Sequence, residues 1–382
     1  MITKSKFDEN CITYSQVNLI SNSRIFWRRF TTWVRAYIIS RYKGIGTAEE
    51  SFGRLYLEAT DFGEMLRIIF GRNASNRYTQ LQQDFTIGLR ELISAQLAGD
   101  ADAVRQRVDQ LYQNTEDSAA FLASINPYMN EAEWKGMLGE YLRYTIDAAN
   151  SFASGDFSRD IETFDNLTSL SNRMGDAFAQ ALYDYVTSGV PPAGRPASGC
   201  ITYAQMNAIY EIRMFWFELE TWMRSYMLRR YTGIGNPDEA LDRLRQVSVN
   251  YTDMLRQIFS EKDVEVDLNL INQYIDLIVE LINAQLADNT SEIDRITRRL
   301  YQNADERAAF LASINPFWDE SEWRGRLYEN LRSTIDESTT FLTGDYARNL
   351  DIFSTLLNQA ESSSEYYARG LFDYVRSAYR QT

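Results

Sequence analysis

Glu91 and Glu280 each stand inside an apolar helical stretch, RELISAQL and VELINAQL, and Asp147 and Asp336 are likewise read as falling inside apolar helices. Two carboxylates turned into a helical bundle could hold a hard divalent cation, which prefers oxygen ligands. Arg35 and Arg224 occupy the first helical stretch of each half of the chain. The six residues could therefore instead form buried arginine–carboxylate pairs, or lie on solvated helix faces. The chain contains no histidine. This removes Ser-His-Asp and Cys-His nucleophile systems, HExxH zinc sites and the Glu-x-x-His pairs of di-iron bundles. General acid–base chemistry at neutral pH would require strongly shifted carboxylates, lysines or tyrosines. A carboxylate-only metal site is uncommon inside a bundle. The expectation is no metal and no cofactor, with Arg35, Glu91, Asp147, Arg224, Glu280 and Asp336 as a candidate internal polar cluster and no catalytic residue.

Three further stretches invite a chemical reading. Gly44-Ile45-Gly46 and Gly233-Ile234-Gly235 lack the extra glycines of a dinucleotide fingerprint and the GKS or GKT of a phosphate loop, and read as helix C-caps. The run from Arg24 to Arg35, RIFWRRFTTWVR, is basic and aromatic, as is a helix that lies on an anionic membrane. Its counterpart, RMFWFELETWMR, replaces Arg28 and Arg29 by Phe217 and Glu218, so the basic rim is lost. A core helix with solvated arginines is the favoured reading. Cys11 and Cys200 precede the first helix of each half and read as inert thiols or as cross-links between chains.

Positioning these residues is a duplicated helical framework. CITY begins at Cys11 and again at Cys200, and AAFLASINP begins at Ala119 and again at Ala308. Both pairs are offset by 189 positions, and 11–46 matches 200–235 at 19 of 36 positions. A unit this long is a duplicated domain, since solenoid repeats are far shorter. The expected division is a first bundle over 1–188, a linker over 189–199 and a second bundle over 200–382. The linker holds three of the six prolines, which makes it semi-rigid.

Within each half the apolar residues recur at steps of three and four, as in Trp134, Leu138, Tyr141, Thr145, Ala148 and Phe152, or Trp323, Leu327, Leu331, Thr334 and Phe341. The pattern predicts six segments per copy, near 14–42, 47–70, 75–98, 100–125, 130–154 and 157–188 in the first. Some stack end to end, giving an all-α chain of two tandem four-helix-type bundles with broken or kinked helices. Thr47-Ala48-Glu49-Glu50 and Asn236-Pro237-Asp238-Glu239 read as helix starts. Asn126-Pro127 and Asn315-Pro316 end one helix, and Asn130-x-x-Glu133 and Asp319-x-x-Glu322 start the next. The repeated phrase AAFLASINP is thus expected to form a packed corner.

Composition narrows the partners. Lys and Arg number 39 against 53 Asp and Glu, a net charge of −14, which disfavours a phosphate backbone as partner. No apolar run has transmembrane length. MITKSKFDENC lacks a signal-peptide core, and two cysteines form no disulfide framework; the expected location is the cytoplasm.

The residues Phe26-Trp27, Trp33-x-Arg35, Leu111-Tyr112-Gln113-Asn114, Ala120–Pro127 and Gly155-Asp156-Phe157 resemble an uncharacterised family of bacterial helical proteins from spore-forming Firmicutes and Actinobacteria. Members of that family look like single copies of this unit, with a first helix of the type W-x-x-H-V-x-W-T-R. Some carry the label acetylglutamate kinase, which this chain does not support, having neither a glycine-rich phosphate loop nor a βαβ pattern. The resemblance covers both copies and implies an all-α bundle without a settled activity. It also implies a histidine in each of three helices, at positions that read Phe30 and Leu219, Phe85 and Tyr274, and Tyr141 and Asn330 here. Bulky residues there would fill the space of a site with packing. The expected function is accordingly a non-enzymatic scaffold for self-assembly or protein-partner binding. The alternative is a small-ligand or metal-binding bundle, with a pocket lined by tyrosines, tryptophans and an inward arginine–acid pair.

Overall fold

Ile12–Thr13 forms a two-residue strand, β1, and Tyr14 then opens a 30-residue helix, α1 (Tyr14–Lys43), which ends where Gly44 adopts a φ of 65°. The computed structural model describes residues 12–46, 48–187 and 200–378. Helix α2 (Ala48–Ala98) is broken at Gly71, whose φ of 81° and ψ of 175° only glycine adopts readily. Helices α3 (Ala101–Ile125), α4 (Glu131–Ser154) and α5 (Phe157–Thr187) follow. After the strand β2 (Cys200–Ile201) come α6 (Tyr203–Thr232), α7 (Pro237–Leu255), α8 (Glu261–Leu286), α9 (Thr290–Ile314), α10 (Glu320–Thr343) and α11 (Tyr346–Ala378). With the halves of α2 taken separately, the described residues form twelve helices, and the fold is all-α.

Helix ends follow the local chemistry of the sequence. Asn126 is fully buried; its Nδ2 donates to the carbonyl of Ala181 (2.9 Å) and its Oδ1 accepts from the amide of Tyr128 (2.9 Å). The corner after α3 is therefore tied to α5. Asn130 and Asp319 cap α4 and α10 by accepting from the amides of Glu133 (3.0 Å) and Glu322 (2.9 Å). Thr202 and Gln205 form a reciprocal capping box at the start of α6. Thr47 lies outside the described residues; Asn236 does cap α7, through the amide of Asp238 (3.0 Å). Gly99, with a φ of 69°, is matched in the second half by Asp288, which keeps a φ of 51° without being glycine.

The chain separates into two compact units. Among the described residues, 15–187 form the first, while 12–14 join 200–378 in the second. The expected boundary at 188 thus misplaces the Ile12–Tyr14 segment. It belongs with the second unit because β1 pairs antiparallel with β2, Ile12 opposite Ile201 and Thr13 opposite Cys200. The expected linker, 189–199, lies outside the described residues.

Each unit is built around its first helix. In α1, Ile20, Trp27, Phe30, Trp33, Tyr37 and Ile38 are all buried, and so are Arg24, Arg28 and Arg35. A helix buried on every side is a core helix. The expected solvated arginines are corrected: these guanidiniums face protein because neighbouring helices supply partners. Helix α6 is buried in the same way, through Met206, Tyr210, Trp216, Leu219, Trp222 and Met227. Indole stacking repeats as well, between Trp27 and Trp134 (centroids 6.4 Å) and between Trp216 and Trp323 (5.7 Å). Among the described residues, no helix is long and apolar enough to cross a membrane.

Candidate functional site

The arginine common to both first helices, buried as Arg35 and with a side chain 11% exposed as Arg224, is paired with a different partner in each unit. Arg35 engages Asp160 of α5 through both carboxylate oxygens, Nη2 to Oδ2 at 2.6 Å and Nε to Oδ1 at 3.3 Å, and its guanidinium lies 4.5 Å over the Phe164 ring. The residue aligned with Asp160 is Asn349, which carries no charge; its Nδ2 donates to Thr340 Oγ1 (2.9 Å) and to the carbonyl of Glu337 (3.2 Å). The countercharge for Arg224 comes instead from Glu337 on α10, where the first unit has Ala148. Phe341 and Phe353 cover this guanidinium. Burial, opposed by Arg224, leaves the Glu337 carboxyl above the ordinary carboxylate range.

The expected internal cluster therefore needs correction. Only Arg35 and Arg224 of its six members lie in the interior. Glu91 pairs with Arg107 at 3.1 Å, and Glu280 with Arg299 at 3.0 Å, all four half-buried and within reach of solvent. Asp147 is half-buried between Arg143 (3.6 Å) and Arg159 (3.7 Å). Asp336 is half-buried, one residue before the buried Glu337. A helix turns about 100° per residue, so that single step separates rim from core. The stripe through Leu331, Thr334 and Phe341 omits one step, which Glu337 fills. Cys11 lies outside the described residues, as does the side chain of Cys200, so the structure places no thiol.

The positions singled out by the family resemblance converge. In the first unit the rings of Phe30, Phe85 and Tyr141, from α1, α2 and α4, lie 6.1–6.3 Å apart, centroid to centroid. They border a cavity of about 10 Å³ together with Trp27, Asn114 and Ser118. The Tyr141 hydroxyl bonds Thr31 Oγ1 (3.0 Å), which bonds Ser171 Oγ (2.8 Å). In the second unit Leu219, Tyr274 and Asn330 border a cavity of about 30 Å³ at the aligned place, with Trp216, Asn303 and Arg307.

Around that second cavity the core is charged. Arg307 Nε donates to Asp267 Oδ1 (3.0 Å), Tyr251 donates to Asp267 Oδ2 (2.8 Å), and the hydroxyls of Tyr251 and Tyr367 are 2.8 Å apart. The aligned residues of the first unit are Ser118, Tyr78, Phe62 and Phe178. There the same space is aromatic, with Phe62 5.2 Å from Tyr78 and 5.0 Å from Phe178. Glu220, aligned with Thr31, is 2% exposed and accepts from Asn330 Nδ2 at 2.7 Å. Burial pushes its carboxyl up to about 8; the Asn330 hydrogen bond opposes this and the charge of Glu337 adds to it. None of Asp267, Arg307 and Glu220 stood out by spacing. Their signal lies in comparing the copies, as charged replacements for Tyr78, Ser118 and Thr31 at aligned positions.

Among the described residues, no group of three or more Cys, Asp or Glu is placed to hold a metal ion. Among the described residues, the aligned cavities are bordered by aromatic packing in the first unit and by paired charges in the second. No family model, curated protein or solved structure matches this chain.

Proposed function

We propose that this protein is a non-enzymatic scaffold, a tandem helical-bundle module for self-association or protein-partner binding. The observation that carries this reading is the small volume of the two aligned cavities among the described residues. The aligned cavities measure about 10 and 30 Å³, whereas ligand pockets for small organic molecules run to roughly 300–1,000 Å³. Duplication then offers two related surfaces for the same kind of contact. Leu97 and Leu286, aligned and both exposed, are examples of apolar side chains repeated on those surfaces. A reducing cytoplasm suits a chain with only two cysteines. The resemblance to single-copy bacterial bundles is part of this reading, with the histidine positions of that family taken by Phe30, Phe85 and Tyr141 in the first unit and by Leu219, Tyr274 and Asn330 in the second.

Light scattering coupled to size-exclusion chromatography tests the self-association arm. The mass is expected to rise above 44.3 kDa with concentration, and Leu97→Asp with Leu286→Asp is expected to lower it again. A mass fixed at one chain across the whole range, with no partner recovered by cross-linking in the source cells, removes the proposal.

A further inference from the structure

The two aligned cavities differ in what faces them. In the second unit Arg307 is 5% exposed and lines the cavity, and its Nη2 has no hydrogen-bond partner in the protein. Its Nε is held by Asp267, so the guanidinium cannot swing away. Trp216 Nε1 on the same wall is also buried without a partner, whereas the side-chain amide nitrogens there are engaged. Asn303 Nδ2 donates to the carbonyl of Leu270 (3.0 Å) and to Gln273 Oε1 (2.9 Å), and Asn330 Nδ2 to Glu220. The Tyr274 hydroxyl reaches Thr334 Oγ1 only at 3.4 Å, which leaves its hydrogen weakly committed. The rest of the wall is apolar, with Leu300, Leu331 and the ring carbons of Trp216.

Such a cavity selects a guest by size and by hydrogen-bonding sense. About 10–15 Å³ of this kind of space accommodates one water, so about 30 Å³ admits a single large ion or a guest of two or three atoms. These uncommitted donors, one of them cationic, call for a hydrogen-bond acceptor. Apolar walls favour a weakly hydrated one, because less hydration is lost on entry. We propose that the second unit binds a small monovalent anion of the halide class, held by Arg307 Nη2 and the Tyr274 hydroxyl. Asp267 carries its own charge toward Arg307 Nε and Tyr251. At neutral pH burial keeps the neighbouring Glu220 largely protonated, so it offers little repulsion. The first unit, with Ser118, Tyr78 and Thr31 at the aligned positions, has no arginine at its smaller cavity and serves as an internal control.

Crystals of the full chain grown without halide and soaked in sodium bromide provide the test. A bromine anomalous peak is expected beside Arg307 in the second unit, with none at the Phe30–Phe85–Tyr141 cavity. In solution, replacing sodium gluconate by sodium bromide at constant ionic strength is expected to raise the Tm. The variant Asp267→Tyr with Arg307→Ser, which installs the first unit's residues, should weaken the bromide midpoint at least tenfold. Water density alone at saturating bromide, equal peaks in both units, or an unchanged response in the variant overturns the proposal. The anomalous experiment on the unaltered protein decides the matter even if the variant fails to fold.

Discussion

Glu337 accepts a hydrogen bond from Arg224 inside the second unit, at the position where the first unit has Ala148. The aligned arginine, Arg35, takes its countercharge from Asp160 on the following helix. A buried guanidinium requires a carboxylate, but it does not specify which helix must supply one.

That freedom can be tested. Glu337→Ala leaves Arg224 buried and unpaired and is expected to destabilise the protein by about 3–5 kcal/mol. Adding Asn349→Asp restores the first unit's arrangement and should recover most of that loss. Urea unfolding of the two variants checks this. Additive losses, with no rescue by the second substitution, would show that the units do not share interchangeable partners.

Glu220 gives the second unit a pH dependence whose sign is determined. Its carboxyl is raised from 4.5 to about 8 by burial. Below pH 4.5 both folded and unfolded chains are protonated there, and the contribution to stability is fully present. Between those values the unfolded chain ionises first, and stability is lost as pH rises through about 8. Each tenfold difference in proton affinity between the folded and unfolded chains is worth about 1.4 kcal/mol, so the full effect is of the order of a few kcal/mol. Glu220→Gln mimics the protonated form. Its stability advantage over the unaltered chain should grow from pH 5 to pH 9, as read from urea midpoints. A constant difference across that range would contradict the assignment.

Asp288 stands where the first unit has Gly99, and both have positive φ. A residue with a side chain adopts that region at a cost, although aspartate tolerates it better than most. Asp288→Gly is expected to stabilise the second unit by a few tenths to about 1 kcal/mol, and Gly99→Ala to destabilise the first by about 1 kcal/mol or more. Thermal unfolding of the two single variants measures both. Shifts of the opposite sign would mean that caps, rather than backbone strain, dominate these corners.

Residues close together along the chain made the helical framework legible. The period of three and four, the Asn-Pro corners, the acidic caps and the glycines after α1 and α6 act within a turn or two, so they can be read directly. The 189-residue offset is equally visible in the order of the residues. The charged interior could not be found in this way. Asp336 and Glu337 are neighbours in the chain yet face rim and core, and an apolar stripe does not define helical phase to within one residue. Comparison of the copies does flag Thr31 against Glu220, Tyr78 against Asp267 and Ser118 against Arg307.

The sequence by itself determined an all-helical chain without histidine whose motifs recur at an offset of 189 residues, because helix formation and capping are local and composition is a count. Only the tertiary structure decided which charges are buried and who pairs with whom. Arg35 and Asp160 are 125 residues apart, and Arg224 and Glu337 are 113. Such pairs exist only once helices pack, when a low-dielectric interior makes an unpaired charge costly.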